Sequence, residues 1–61
     1  MATASPNILV VDDDRETRSL IAEYLRANAC NVTTAIDGRE MVRALAGHRV
    51  DLLILDVMLP G

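Results

Sequence analysis

The sequence predicts an α/β fold, a short doubly wound parallel sheet with a helix on each face. Three observations carry that expectation. Two nearly unbroken aliphatic runs, Ile8–Val11 and Leu52–Leu55, each lead into an aspartate, the pattern of strands buried on both faces whose carboxyl ends open to solvent. Two segments of helical spacing separate these runs and a weaker third one. Strand, helix, strand, helix, strand at such lengths makes two βαβ units, whose crossovers are right-handed in nearly all known cases.

Taken in order, Met1–Asn7 is small and polar and contains Pro6, and is expected to be a flexible arm ahead of a domain occupying residues 8–61. Ile8–Val11 is the first strand, ending at Asp12-Asp13-Asp14. The next helix is expected from about Arg15 to Asn28, burying Thr17, Leu20, Ile21, Tyr24, Leu25 and Asn28 at three- and four-residue steps. Asp13 followed by Glu16 reads as its capping box. Cys30–Ala35, with Val32, Thr33 and Thr34, is a less buried strand suited to a sheet edge. Asp37-Gly38 turns the chain, and Asp37 with Glu40 repeats the capping pattern. Met41, Val42 and Leu45 then mark a short helix that stops at Gly47-His48, where Gly is expected to supply a left-handed cap. The last strand is Val50–Asp56, the most apolar of the three.

Composition bounds the rest. With 61 residues, 51% of them apolar, the chain holds at most one small domain, and a domain of that size buries only about 60% of the surface its unfolded chain exposes. Its one cysteine, Cys30, cannot close an internal disulfide, which fits a reducing, cytoplasmic setting. No apolar run approaches the ~20 residues of a membrane span. Six arginines, no lysine and nine acids give a net charge of -3, with no basic patch to collect nucleic-acid phosphates. His48 at a helix end reads as structural, and Tyr24 and Met41 as core or interface packing.

The near-continuous burial of the first strand places it in the middle, giving the order second-first-third. Chain direction then reverses at the first strand, and a crevice opens at the carboxyl ends of the first and third strands, where Asp12, Asp13 and Asp56 converge. Clustered carboxylates repel unless a cation sits between them, and a hard divalent ion such as Mg²⁺, with one or two carboxylates, carbonyls and waters, meets that need. An isolated Asp12–Asp14 run reads first as helix capping; Asp56, at the matching end of another buried strand, shifts the balance to the crevice. No glycine-rich turn follows the first strand, which disfavours a dinucleotide site.

Ile8–Asp13, Asp37-Gly38 and Asp51–Gly61 together resemble the receiver domain of bacterial response regulators, from about Asn7 to the last residue. The resemblance implies a flavodoxin-like sheet. Asp56 is then the phosphoacceptor for a histidine kinase or phosphotransfer protein, and the domain is a regulatory phosphoacceptor rather than an enzyme. Asp13, Asp56 and the Met58 carbonyl are implied to bind Mg²⁺, Asp12 to act through a metal-bound water, and Asp14 to cap the helix only.

The resemblance reaches the first three of the family's five strands, so residues 8–61 are expected to be a truncated receiver. The family's later hydroxyl residue, lysine and aromatic switch residue have no counterpart here, and signalling competence is expected to suffer. The Asp51–Asp56 strand becomes a long apolar edge, and its pairing with a second copy, antiparallel about a two-fold axis, is expected to complete the sheet as a homodimer. The alternative is a non-catalytic interaction fragment that uses the same strand.

Overall fold

Strands β1 (Asn7–Val11), β2 (Asn31–Ala35) and β3 (Leu52–Leu55) pair in parallel in the expected order β2-β1-β3 in a computed structural model that describes residues 5–55. Helices α1 (Arg15–Ala27) and α2 (Gly38–Gly47) make the crossovers. The register aligns Leu9 with Thr33 on one side and Leu53 on the other, and Val11 with Ala35 and Leu55. Leu9, Val10 and Val11 have no accessible surface, each contributing ~1.5–3 kcal/mol of apolar burial. Leu9, Val11 and Ala35 face α2, where Met41, Ala44 and Val50 pack on them.

Several boundaries differ from expectation. Asn7 belongs to β1, not to an arm, because it pairs with Asn31 and its carbonyl accepts the Asp51 N–H at 2.7 Å. β2 starts at Asn31 rather than Cys30, and β3 at Leu52 rather than Val50. The N-cap of α1 is Asp14, whose carboxylate accepts the Thr17 N–H at 3.1 Å; the Asp13–Glu16 box does not form, because Asp13 lies one residue too early. Asp37 does cap α2, accepting the Glu40 N–H at 2.9 Å, while the Glu40 carboxylate reaches back to the Ile36 N–H at 3.0 Å.

The left-handed residue also falls elsewhere. Gly47 is the last helical residue of α2, and His48 continues in extended backbone with its N–H on the Ala44 carbonyl. It is α1 that ends through a left-handed residue, Ala29 at φ 61°. The Cys30 N–H returns to the Leu25 carbonyl and the Ala29 N–H to the Arg26 carbonyl, the paired bonds of a Schellman turn.

The helices cover less of the sheet than the sequence predicts. Both lie over β1 and β2, and neither lies over β3. On α1, small Ala22 allows close approach and is buried, Ile21 and Leu25 are half-buried, and Leu20 and Tyr24 stand 60% and 69% exposed. The expected apolar stripe is real, but only one margin of it meets the sheet, so Tyr24 is not core. Leu52, Leu53 and Leu55 are exposed as well.

Candidate functional site

Where β1 ends, three consecutive aspartates take three different roles. The Asp12 N–H donates to the Ala35 carbonyl at 3.1 Å, carrying the β1–β2 ladder one residue further. Its carbonyl accepts Nη1 of Arg18 at 2.9 Å, and its Oδ1 accepts the Asp14 N–H at 2.9 Å. Only 4% of Asp12 is exposed. Buried carboxylates are tolerated when hydrogen-bonded, and these bonds hold both the backbone and one carboxylate oxygen of Asp12 in place.

Asp13 is exposed. Asp14 turns to the helix, where the Thr17 hydroxyl and N–H both donate to its Oδ2. The hydroxyl bond, with help from the backbone N–H, holds the Asp14 carboxyl below the usual aspartate value of 3.8. An acceptor already engaged in this way is suited to capping, as the resemblance implied.

Asp12 and Asp13 are thus brought to the carboxyl end of the central strand. Asp56 and Met58 lie outside the described residues. The β1–β3 register runs through to Val11 and Leu55, the residues that directly precede Asp12 and Asp56 in sequence. Among the described residues no three potential ligands of the His, Cys, Asp and Glu types gather to hold a metal.

The part of the site that is described fits a hard cation. Its donors are carboxylate oxygens, the kind Mg²⁺ takes. Asp12 Oδ2 has no hydrogen bond to the described residues, and no buried side-chain oxygen or nitrogen among them lacks a partner.

Arg18, which is not among the α1 residues expected to be buried, also belongs to the site. Six residues beyond Asp12 and one turn into α1, its guanidinium reaches back to the Asp12 carbonyl. The signal was a basic residue on the helix that follows the acids, and only the strand–helix angle turns that signal into a contact.

Comparison with known proteins bears on the same residues. The family description "Response regulator receiver domain" matches residues 8–61. Among curated relatives, the protein PetR of Rhodobacter capsulatus is 39% identical over 61 residues, which is 100% of this chain and 26% of PetR. The transcriptional regulatory protein CpxR of Klebsiella pneumoniae is 55% identical over 53 residues, covering 87% of this chain and 22% of its own. The transcriptional regulatory protein PrrA of Mycobacterium tuberculosis is 39% identical over 56 residues, covering 92% and 24%. The chain thus spans about a quarter of the length of these relatives. No solved structure matches. A parallel β2-β1-β3 sheet with aspartates at the mouth of its central strand, and a family match running from β1 to the last residue, lead to one assignment: the chain belongs to the response regulator receiver domain family of two-component signalling.

Proposed function

We propose that this chain accepts a phosphoryl group on Asp56 from a histidine kinase or phosphotransfer protein, with Mg²⁺ held by Asp13, Asp56 and the Met58 carbonyl. The observation that carries the reading is the anchoring of Asp12 by Ala35, Arg18 and Asp14 at the end of β1. A carboxylate fixed in this way orients a metal-bound water without rearranging, so its charge is in place before the reaction begins. Asp13, exposed beside it, is free to coordinate directly.

In the transfer, a carboxylate oxygen of Asp56 forms the O–P bond as the P–N bond to the donor imidazole breaks. The electron pair and a proton go to the imidazole nitrogen. Mg²⁺, when bound, neutralises charge on the equatorial phosphoryl oxygens. The chain's own contribution is position and electrostatics, so the domain is a phosphoacceptor and not an enzyme acting on a separate substrate. Its setting is cytoplasmic, where such kinases present their phosphohistidine. No helix of the described residues is long and apolar enough to cross a membrane.

Intact-mass spectrometry after incubation with acetyl phosphate and Mg²⁺ tests the reading. The wild type should gain one phosphoryl group, and Asp56→Asn should gain none. Arg18→Gln, which releases the Asp12 carbonyl, should weaken Mg²⁺ dependence by roughly tenfold, the usual scale for a residue that orients a ligand. A phosphoryl group that persists in Asp56→Asn would overturn the assignment.

A second reading rests on β3, whose Leu52, Leu53 and Leu55 are exposed. In it the chain associates with a second copy through the Asp51–Asp56 strand, with or without phosphoryl transfer. Antiparallel pairing of two β3 strands would satisfy their open backbone groups. It would also join two strips of sheet that neither α1 nor α2 covers, so a stable dimer has to cover those faces as well.

A further inference from the structure

The flank of α1 that faces β2 borders a cleft of about 270 Å³ lined by Arg15, Arg18, Ser19, Glu23, Arg26 and Thr34, with Ala22 at its base. Half of the chain's six arginines are here. With Glu23 the lining carries three positive charges and one negative, in a protein whose net charge is -3.

Two of the arginines are anchored. Arg18 donates through Nη1 to the Asp12 carbonyl at 2.9 Å, and Arg26 donates through Nη2 to the Val32 carbonyl at 3.3 Å. A guanidinium has five N–H donors, so each keeps most of its donors while losing much of the side-chain freedom that binding would otherwise have to remove. Arg15 makes no hydrogen bond among the described residues and remains free to close on a ligand. At 1.5 Å of rise per residue, Arg18 and Arg26 are about 12 Å apart along the helix.

We propose that this cleft binds a small linear polyphosphate. Planar guanidinium forks match phosphate oxygens bidentately, and the Ser19 and Thr34 hydroxyls add donors between them. An elongated anion can engage both anchored arginines, which one orthophosphate is too short to do. Among the described residues Ala22 is the one apolar side chain in the lining, too little to seat the side chains of a peptide.

The test is a titration of the isotope-labelled chain with inorganic tripolyphosphate, without Mg²⁺, followed by NMR at the arginine Nε–H groups and the Thr34 amide. Saturable shifts confined to Arg15, Arg18, Arg26 and Thr34 are expected, with orthophosphate much weaker. Arg15→Gln, which removes no structural bond, should weaken tripolyphosphate binding about tenfold, as expected for one charge-assisted contact. The control Arg39→Gln, with the same change in charge, should leave binding unaltered. Equal shifts at all six arginines, equal losses in the two variants, or tighter binding of a glutamate-rich peptide than of tripolyphosphate would each overturn the proposal.

Discussion

At the β2 edge of the sheet, the Val32 carbonyl is met by the Arg26 guanidinium, and the strand is built of Asn31, Val32, Thr33, Thr34 and Ala35 between two covering helices. At the β3 edge neither α1 nor α2 lies above or below, and the strand is Leu52-Leu53-Ile54-Leu55. The Asn31 N–H donates to the Pro6 carbonyl and the Asp12 N–H to the Ala35 carbonyl, so the even-numbered residues of β1 face β2 and the odd-numbered ones face β3, since residues of a parallel strand alternate in direction. In the register that pairs Ile8 with Leu52, Leu52 and Ile54 bond to β1, and Leu53 and Leu55 turn their N–H and C=O groups outward. The comparison teaches that edge protection is local: polar side chains and one arginine suffice where helices already cover both faces, whereas β3 has apolar side chains and, among the described residues, an open backbone edge and no covering helix. Such a strand is the place to expect association.

The comparison breaks most visibly at register partners. Leu9 and Leu53 lie side by side, yet Leu9 is fully buried and Leu53 is 39% exposed. Leu9→Ala should cost ~2–5 kcal/mol, the range for a buried leucine, enough to consume much of a small domain's stability. Leu53→Ala should cost about 1 kcal/mol or less in a lone protomer, since less apolar surface is lost. Urea unfolding of both variants checks this, and equal losses would mean that something covers β3 in solution.

The next effect is on association. Leu52→Lys places a charge on the outer edge of β3, and sedimentation velocity at micromolar concentration should return a particle of 6.6 kDa, with the wild type at twice that mass if β3 pairs with itself. A wild type that already sediments as one protomer would remove the dimer reading.

The smallest effect concerns how β3 is held. Asp51 Oδ2 accepts the Asn7 N–H at 2.8 Å and its side-chain amide at 3.3 Å, and Arg49 lies 3.4 Å from Oδ1. The Asn7 N–H, with help from Arg49, holds the Asp51 carboxyl below 3.8. Because the folded value is depressed, its stabilisation is fully present above the unfolded aspartate value and fades as pH falls through the folded one. Hydrogen exchange at β3 should therefore quicken as pH drops below 3.8, after correction for intrinsic exchange rates. Asp51→Asn should exchange faster at neutral pH and show little of that further change.

Much of this fold was legible because local patterns and the global arrangement agree. The Ile8–Val11 run could satisfy its burial only as a central strand, and the turn residues at Asp14 and Asp37 stand where α1 and α2 begin. The errors are of another kind. The stripe containing Leu20 and Tyr24 has helical periodicity, but periodicity specifies an apolar face without specifying what it meets. Gly47 has the composition of a helix stop, yet the chain leaves α2 in extended form toward β3, while Ala29 takes the left-handed turn that carries α1 back to β2. For the site, the acids themselves were readable and Arg18 was not, since its contact with the Asp12 carbonyl depends on the angle at which α1 leaves β1.

What the sequence alone determined is the order of elements, the parallel β2-β1-β3 pairing and the family, because aliphatic runs, caps and crossover handedness leave few other ways to bury the first strand. What only the tertiary structure decided is which surfaces meet: that Asp12 is pinned from three sides, that α1 turns its arginines toward β2, and that neither α1 nor α2 covers β3. The physical reason is that burial of one residue depends on the placement of others far away in the chain, whereas capping and strand periodicity depend on neighbours.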